Sequence, residues 1–398
     1  MSSCCLLQLT ATAVLTSIPP LPIQLLDLAA QHAPLQAELE AALRATLAEG
    51  AFIQGPAVGE FAQELSRFLG GPHVIPCANG TDALQLALMS LQLPAGSEVI
   101  VPAFTYVATL EAAAVLGLVP VPVEVRPDTF NLDPVAVAAA ITPRTGAIVA
   151  VHLFGQCADL EALCLLADQR GVALIEDNAQ AIGATFTTGS GDVWQAGTVG
   201  EVGTTSFFPS KNLGGFGDGG ALFTRDTERA AYLRQLANHG QTRKYHHQHI
   251  GLNSRLDTVQ AALLRVKLPH LPAWTAARQH VAARYDALLA EVPGLQVPAR
   301  DLRSTHVFHQ YTLTVDDVPG RRDALQQHLA RHGVPSAVYY PLPNHLQPAY
   351  AYLGYREGQF PVAEQLCRTV LSLPIHPTLT EAQVQYIGEV IGGWAGGQ

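Results

Sequence analysis

The first part of the chain carries a helical pattern of apolar residues. Between Ile23 and Arg67, leucine recurs every four residues, at Leu35, Leu39, Leu43 and Leu47. Side chains four residues apart lie on the same face of a helix. The spacing therefore predicts a helical N-terminal segment that packs through one apolar face.

Beyond Arg67, short β-rich runs alternate with amphipathic stretches. The β-rich runs are His73–Pro76, Glu98–Ala103, Val119–Val125, Ala147–Leu153, Val172–Glu176, Thr204–Phe208 and Gly220–Thr224. The helical stretches between them include Asp82–Leu91, Val107–Leu116 and Leu160–Gln169. Alternation of strand and helix predicts an α/β domain with a mostly parallel mixed sheet flanked by helices.

The C-terminal part has a different pattern of predicted helices and strands. A long helical pattern, Leu256–Leu289, is interrupted by two prolines. After it we predict strands at His306–Val315 and Ser336–Tyr340, and helices at Arg321–His332, Val362–Leu371 and Glu381–Ile391. These elements indicate a linking helix and a smaller α+β domain over residues 256–398, with ligands bound between it and a large α/β domain over residues 23–255. Residues 1–22 are predicted to be a disordered N-terminal extension.

Composition and charge narrow the class of protein. With 48% hydrophobic and 14% charged residues, the 398-residue chain is typical of a compact globular protein. A formal net charge of −10 without basic runs argues against nucleic acid or a membrane surface as a partner, and no apolar run reaches the roughly 20 residues of a spanning helix. The six cysteines form no CxxC pair. We therefore expect free thiols, a cytoplasmic location and no metal site.

The chain uses lysine rarely, and one of its lysines precedes a glycine-rich turn. Only Lys211, Lys244 and Lys267 occur, and Lys211 lies in Ser206–Gly220, SFFPSKNLGGFGDGG. A deprotonated lysine amine forms an imine with an aldehyde, which arginine cannot do, and the glycines allow the backbone to approach a flat ligand closely. A surface lysine before an ordinary turn is the alternative.

A second candidate is an apolar strand that ends in carboxylates, in Leu174–Gln180, LIEDNAQ. Ligands bind at the carboxyl edge of a parallel sheet. Asp177 suits the carboxylate that keeps a pyridinium nitrogen protonated, and Gln180 could donate to a phenolic oxygen of the same ring. A magnesium site or a helix cap would use the same residues.

Two further stretches complete a possible cofactor site. In Ala78–Leu84, ANGTDAL, a strand leads through Gly80 and Thr81 into a helix, whose free N–H groups suit a phosphate. In Pro102–Thr109, PAFTYVAT, Tyr106 follows a strand end and could stack on a flat ring. A plain capped helix and ordinary core packing are the alternatives. In chain order the four stretches give a phosphate turn, an aromatic, a carboxylate and a lysine, which together predict a pyridoxal phosphate site.

These stretches resemble the DegT/DnrJ/EryC1/StrS family of sugar aminotransferases, within the fold-type I pyridoxal-phosphate enzymes. The resemblance runs from about Ile23 into the C-terminal region and is carried also by Phe130–Pro134, Gly155–Asp159, His239–Gln241 and Asn253–Asp257. It implies Lys211 as the Schiff-base lysine and proton carrier, and Asp177 at the ring nitrogen. The remaining implied contacts are Gln180 at the ring hydroxyl, Tyr106 on the ring, Gly80, Thr81 and Ser206 at the phosphate, and Tyr339 and Tyr340 at the sugar.

The resemblance also implies a homodimer with shared active sites. Asn253 of the neighbouring subunit would complete the phosphate site, and its Arg255 would face the sugar acid or the donor carboxylate. The expected reaction transfers an amine from glutamate to a nucleotide-linked keto-sugar for amino-sugar or cell-surface polysaccharide biosynthesis. The enzymes most similar in these stretches aminate UDP-2-acetamido-2-deoxy-3-keto-glucuronate, although they have histidine where this chain has Tyr339.

Several alternatives stay open. Another 3-keto or 4-keto sugar would need the same site, and a non-catalytic pyridoxal-phosphate-binding regulator could keep it. A sugar dehydratase of this family would have histidine in place of Lys211. Decarboxylation or desulfuration would use the same fold, but no cysteine lies in a suggestive motif. We interpret Thr187–Glu201 as a surface loop in which Trp194 serves packing.

Overall fold

The computed structural model describes residues 22–396. Apart from Pro22, the predicted N-terminal extension lies outside the described residues. The helices are α1 Leu28–His32, α2 Gln36–Glu49, α3 Pro56–Phe68, α4 Gly80–Ser90, α5 Ala108–Val115, α6 Pro134–Ala140, α7 Leu160–Arg170, α8 Thr227–Leu236, α9 Thr258–Lys267, α10 Leu271–Leu289, α11 Arg321–Arg331, α12 Pro361–Thr369 and α13 Glu381–Gly396. Within the described range, no helix is both long and apolar enough to cross a bilayer.

Within residues 22–396, the strands form one large sheet and three small ones. They are β1 His73–Cys77, β2 Glu98–Pro102, β3 Val119–Val123, β4 Thr145–Val151, β5 Ala173–Asp177, β6 Thr185–Thr187, β7 Val193–Gln195, β8 Val202–Ser206, β9 Gly220–Thr224, β10 Gln241–Arg243, β11 His246–His247, β12 Leu295–Gln296, β13 Tyr311–Val315 and β14 Val370–Leu373. The large sheet has seven strands in the order β1-β9-β8-β5-β4-β2-β3.

The large sheet is mixed and mostly parallel, which confirms the predicted fold class. Strands β8, β5, β4, β2 and β3 pair in parallel, and β9 runs antiparallel between β1 and β8. Its central strands read as apolar runs because helices cover both faces, and β2 is buried throughout. The hydrophobic core is therefore divided between the two faces of one sheet.

The strand register brings several chain reversals to one edge of this sheet. Asp177 at the end of β5 pairs with Val151 on one side and with Thr204 on the other. Gly220 at the start of β9 pairs with both Cys77 and Ser206. The carboxyl ends of β1, β4, β5 and β8 consequently share one edge, where ligands bind in α/β proteins.

The C-terminal part builds a second core around the three-stranded antiparallel sheet β12-β13-β14. Helices α10, α11 and α13 enclose this sheet with side chains such as Tyr285, Leu325 and Ile387. The predicted division of the chain after Arg255 stays a prediction, since helix α9 packs its Ala261 and Leu264 into the large-domain core.

One predicted element near the C-terminus is wrong, and a predicted helix ends two residues earlier than expected. The strand predicted at Ser336–Tyr340 is irregular and has one isolated bridge, between Ala337 and Ser372. Prolines flank this stretch and cannot donate to a ladder. The pairing partner of β13 is instead β14. Its first two residues, Val370 and Leu371, had been predicted as the end of a helix, but α12 stops at Thr369 and the backbone of Val370 is extended.

The segment Thr187–Glu201 is also more ordered than the predicted surface loop. It contributes to the hairpin β6–β7, in which Trp194 stacks on Phe186 at 6.3 Å between ring centroids. Trp194 thus packs against the protein, as predicted. Beyond the hairpin, the backbone N–H groups of Gly197 and Gly200 donate to the buried carboxylate of Glu176, at 2.7 and 2.8 Å.

Candidate active site

A cavity of about 490 Å³ lies at the carboxyl edge of the large sheet and is closed on one side by the C-terminal part. Nine of the eleven site residues predicted from sequence line it: Gly80, Thr81, Tyr106, Asp177, Gln180, Ser206, Lys211, Tyr339 and Tyr340. Asn253 and Arg255 do not. The strand register explains the convergence, because the nine residues follow strand ends or face them from the C-terminal part.

Asp177 ends β5 inside the cavity. Its Oδ2 accepts a hydrogen bond from the Thr109 hydroxyl at 3.1 Å, and its Oδ1 accepts one from the Ala179 N–H at 3.1 Å. Burial raises the pKa of the carboxyl above its usual value, while these two donors and Lys211 act in the opposite direction. Two hydrogen bonds do not fully offset the burial of this carboxylate, and a cation placed against it would favour its ionised form.

Lys211 lies in the turn between β8 and β9. Its backbone N–H donates to the carbonyl oxygen of Phe208 at 2.8 Å, which holds the turn. Burial lowers the pKa of the amine to about 8, and Asp177 partly opposes this change. A Cβ at Gly214 would collide with the carbonyl oxygen of Pro209, so the tight path of the turn requires glycine there. The amine is thus an internal group with a substantial neutral fraction near pH 8, unlike a surface lysine.

The N-terminus of α4 faces Ser206 across a narrow gap. Asn79 caps this helix by accepting the Asp82 N–H at 2.8 Å, and the first N–H groups, at Gly80 and Thr81, have no acceptor within the helix. A Cβ on Gly80 would lie 2.8 Å from the Cβ of Ser206. Glycine therefore lets the helix terminus and the serine hydroxyl approach closely enough to share one anion, a phosphate included.

Gln180 and the tyrosines occupy the other side of the cavity. Gln180 Oε1 accepts the Phe154 N–H at 2.8 Å, and its Nε2 donates to the Tyr340 hydroxyl at 3.2 Å. Tyr106 lies at the mouth, 57% exposed, with its ring centroid 6.1 Å from that of Tyr340. One amide N–H of Gln180 is engaged by Tyr340, so its second N–H is the donor left to meet a ligand.

Asn253 and Arg255 lie away from the cavity of their own chain. Asn253 is exposed, and Arg255 donates from Nη1 to Asn238 Oδ1 at 3.3 Å. Arg255 lines a different, open cavity of about 710 Å³ together with Arg67 and Arg234. A single chain therefore does not bring these two predicted residues to the other nine.

Several residues around the site were missed by sequence reasoning. Thr109 has no signal of its own in the sequence, although its position in the first turn of α5 aims it at the neighbouring strand end. The ring of His152 is fully buried and lies 3.0 Å from Glu176 Oε2, next to Asp177. His309 also lines the cavity and had no recognisable motif. It lies within the strand predicted at His306–Val315, but that strand begins at Tyr311, so the prediction is wrong for His306–Gln310.

The cavity can be tested against what pyridoxal phosphate requires. The cofactor needs an anion site for its phosphate, a carboxylate for its ring nitrogen and an amine for its aldehyde. The helix terminus at Gly80, the buried carboxylate of Asp177 and the amine of Lys211 meet these requirements around one cavity. The residues fit the cofactor, and with the mixed seven-stranded sheet they define a pyridoxal-phosphate-dependent enzyme of fold type I.

Comparison with known proteins identifies the family. The model of the DegT/DnrJ/EryC1/StrS aminotransferase family matches residues 34–392. The UDP-2-acetamido-2-deoxy-3-oxo-D-glucuronate aminotransferase of Pseudomonas aeruginosa is 45% identical over 92% of this chain and 98% of its own. The dTDP-3-amino-3,4,6-trideoxy-alpha-D-glucose transaminase of Streptomyces venezuelae is 43% identical over 94% and 96%. The crystal structure of S. venezuelae DesV in complex with a ketimine intermediate matches with a TM-score of 0.89 at 43% identity, covering 94% and 98%.

The chain belongs to the DegT/DnrJ/EryC1/StrS aminotransferase family. It is a pyridoxal-phosphate-dependent sugar aminotransferase, which takes an amino group from a donor and places it on a keto-sugar. The family prediction, the enzyme class and the cofactor predicted from sequence are confirmed. The roles of the individual site residues stay predictions.

Proposed function

We propose that this chain transfers the amino group of glutamate to a UDP-linked 3-keto-sugar, UDP-2-acetamido-2-deoxy-3-keto-glucuronate. The observation that carries the proposal is the placement of Lys211 and Asp177 in one cavity with the open N-terminus of α4. The name of the P. aeruginosa relative supports the UDP sugar acid as substrate. The S. venezuelae relative, named for a dTDP sugar, makes a dTDP-linked keto-hexose the second candidate.

Different residues of the cavity would have different roles in the reaction. Bound in the cavity, pyridoxal phosphate would supply an electron sink for negative charge at the substrate carbon. Asp177 would keep that sink effective by holding a proton on the ring nitrogen. The amine of Lys211, with its pKa lowered to about 8, would take a proton from one carbon and return it to another. Gly80, Thr81 and Ser206 would hold the phosphate.

The charge inventory of the cavity supports a shared site. Among its lining residues only Asp177, Asp218 and Lys211 carry charge, and Lys211 is engaged in the chemistry. No lining cation of the described chain is left for the carboxylates of glutamate and a sugar acid. The guanidinium of Arg255 in a second copy of the chain would supply one, and its planar fork suits a carboxylate.

Exposed apolar side chains support the same dimer. Leu47, Phe52 and Ile53 are 57%, 46% and 52% exposed, and Phe208 beside the cavity is 51% exposed. Exposed large apolar side chains of this kind favour a surface that a partner covers. We therefore propose a homodimer in which Asn253 and Arg255 of each subunit complete the active site of the other.

A panel of nucleotide keto-sugars tests the substrate. UDP-linked and dTDP-linked 3-keto and 4-keto sugars are incubated with glutamate and enzyme, and NMR of the product locates the new amine. The proposal expects the UDP 3-keto sugar acid to give the highest kcat/KM, with nitrogen at carbon 3. A higher kcat/KM for a dTDP-linked sugar would overturn the proposed substrate in favour of the second candidate.

Mixing two inactive variants tests the shared site. Lys211→Ala removes the amine, and Arg255→Ala removes the group proposed to act in trans. In random heterodimers one site of two is intact, so a 1:1 mixture should recover about a quarter of wild-type activity. A mixture that stays inactive after dissociation and reassociation would show that Arg255 does not act across the interface.

A further inference from the structure

One wall of the cavity is formed by His309 and Gln310, at the end of a short irregular segment, His306–Gln310, that precedes β13. Backbone groups hold it against the end of β4: the Val307 N–H donates to the Gly155 carbonyl at 2.8 Å, and the Gln310 N–H donates to the Phe154 carbonyl at 3.2 Å. Side chains hold it from behind. Arg278 donates to the Phe308 carbonyl at 3.1 Å, and Asn212, next to Lys211, donates to the Val307 carbonyl at 2.9 Å.

Gly155 makes this close approach possible. Its φ is +110°, and a Cβ there would lie 2.9 Å from the backbone nitrogens of both Phe308 and His309. Any other residue at this position would push the segment away from the sheet edge. The backbone on both sides is thus arranged to bring His309 into the cavity.

His309 is a buried polar side chain without a partner. It is 8% exposed and lines the cavity, and among the described residues neither ring nitrogen has a hydrogen bond. Nδ1 is sealed from solvent, which leaves Nε2 as the nitrogen that can reach the cavity. Polar atoms of a largely buried side chain nearly always have a partner, so Nε2, which has none in the described chain and faces a ligand cavity, indicates a contact with the ligand.

The surroundings select the chemical class of that contact. Burial, followed by the charges of Lys211 and Arg278, holds the pKa of His309 well below its usual value, so the ring is neutral at physiological pH. The other residues on this wall, Gln310, Tyr339 and Tyr340, are uncharged hydrogen-bonding groups. A neutral imidazole both donates and accepts, which suits a hydroxyl group better than a carboxylate.

We propose that His309 hydrogen-bonds through Nε2 to a hydroxyl of the sugar beside the reacting carbonyl, and so determines specificity in the sugar half-reaction. Lys211 must reach the reacting carbon, and His309 lines the same cavity, close enough for the charge of Lys211 to act on its ring. Glutamate has no hydroxyl to offer this ring. This role rests on the proposed keto-sugar substrate. It predicts in addition that loss of the ring slows the sugar half-reaction and not the glutamate half-reaction, which the substrate proposal alone does not.

Three variants separate this role from a structural one. His309→Leu removes both nitrogens, while His309→Gln places an amide near the position of Nε2. His306→Gln is the matched control, since His306 is also 8% exposed, does not line the cavity, and uses its Nδ1 to accept the Phe308 N–H at 3.0 Å. The two half-reactions are measured separately, by single-turnover change in cofactor absorbance with glutamate alone and then with keto-sugar alone.

His309→Leu should slow the sugar half-reaction about 10- to 100-fold and leave the glutamate half-reaction within about 2-fold. His309→Gln should restore most of the sugar rate, and His306→Gln should change the two half-reactions to the same extent. Equal losses in both half-reactions of His309→Leu, or no loss in either, would overturn the role. A wild-type protein that reacts with glutamate but with no keto-sugar of the panel would overturn the proposed function itself.

A binding measurement adds a readout that needs no turnover. Calorimetry compares the amino-sugar product with its analogue deoxygenated next to the amine, for wild type and for His309→Leu. Wild type should bind the deoxy analogue about 10-fold more weakly, whereas His309→Leu should bind the two compounds with similar affinity. The same discrimination in wild type and variant would contradict the proposed contact.

Discussion

The hydroxyl of Thr109 donates a 3.1 Å hydrogen bond to Oδ2 of Asp177, and both side chains are buried. This bond stabilises the ionised carboxylate and therefore opposes the rise in the pKa of Asp177 that burial causes. Thr109→Val keeps the shape and removes the donor. The pKa of Asp177 should rise further, the acid limb of the kcat–pH profile should move to higher pH, and kcat at pH 7 should fall about tenfold.

The control for this change is Thr109→Ser, which keeps the hydroxyl. It should keep the acid limb within about 0.3 pH units of wild type and most of kcat, since one lost methyl group costs packing rather than charge stabilisation. An acid limb that is the same in Thr109→Val and wild type would show that the bond does not tune the carboxylate.

Asp177→Asn tests the carboxylate directly. The amide is nearly isosteric, so the cavity keeps its shape and the cofactor should stay bound through the helix terminus and Lys211. Without a negative charge the ring nitrogen loses its proton, and kcat should fall by at least about 100-fold, or about 2.7 kcal/mol. Steady-state kinetics measures the fall in kcat, and a cofactor titration checks that binding is retained. Near-normal turnover would refute the assigned role.

The pKa of Lys211 predicts how cofactor capture depends on pH. Only the neutral amine attacks an aldehyde, and burial lowers the pKa of Lys211 to about 8. The rate at which apo-protein captures pyridoxal phosphate should therefore rise with pH and level off above about 8. Borohydride reduction followed by peptide mapping measures the captured fraction at each pH. Labelling of Lys244 or Lys267 in place of Lys211 would reject the assignment.

The same measurement on Asp177→Asn checks the cause of the shift. The charge of Asp177 favours the ammonium form of Lys211 and raises its pKa against the effect of burial. Removing that charge should move the midpoint of cofactor capture to lower pH. A midpoint that moves upward would show that the two groups do not interact as the cavity suggests.

Gly80→Ala tests the narrow gap at the phosphate site. The added Cβ would lie 2.8 Å from the Cβ of Ser206, so the two elements must separate. We expect a loss of about 1–3 kcal/mol in unfolding free energy and about tenfold weaker cofactor binding. The control is Gly392→Ala in α13, where a Cβ meets nothing within 4 Å and should stabilise the helix slightly. Similar cofactor affinity in Gly80→Ala and wild type would contradict the close approach.

The residues that sequence reasoning placed correctly in the cavity share a local signal. Asp177, Ser206 and Gly80 each follow or end a strand, and the rule that parallel strands end at one sheet edge is enough to bring them together. Lys211 stood out because the chain has so few lysines. Their chemistry could be predicted because it depends on short segments and on one topological rule.

The features that escaped prediction depend on contacts between distant segments. His309 reaches the cavity because Gly155 and Arg278, far away in sequence, hold its backbone, and no local pattern records this. The replacement of the predicted strand at Ser336–Tyr340 by β14 was likewise decided by pairing with β13. Asn253 and Arg255, by contrast, lie outside their own cavity as the family resemblance implies for residues that act on a neighbouring subunit, and that role stays a prediction.

Lys267 supports the turn that carries Lys211. Its buried amine, at the end of α9, donates to the carbonyl of Gly214 and lies 2.8 Å from His32 Nε2 and 5.3 Å from the ring centroid of Phe216. Burial lowers its pKa to about 8, so holding the charged form costs free energy. Lys267→Met keeps the length and removes the donor, leaving the Gly214 carbonyl unpaired.

Lys267→Met loses a hydrogen bond, but it also removes the cost of burying a charged amine. These two effects partly offset each other, so the net loss in unfolding free energy should be about 1 kcal/mol. The larger effect should fall on the turn itself, and the cofactor should dissociate several-fold faster in a competition assay. Lys244→Met, in the turn between β10 and β11, is the control and should stay within about 0.5 kcal/mol of wild type with unchanged cofactor release. If both variants release the cofactor at the wild-type rate, Lys267 supports α9 but not the turn that carries Lys211.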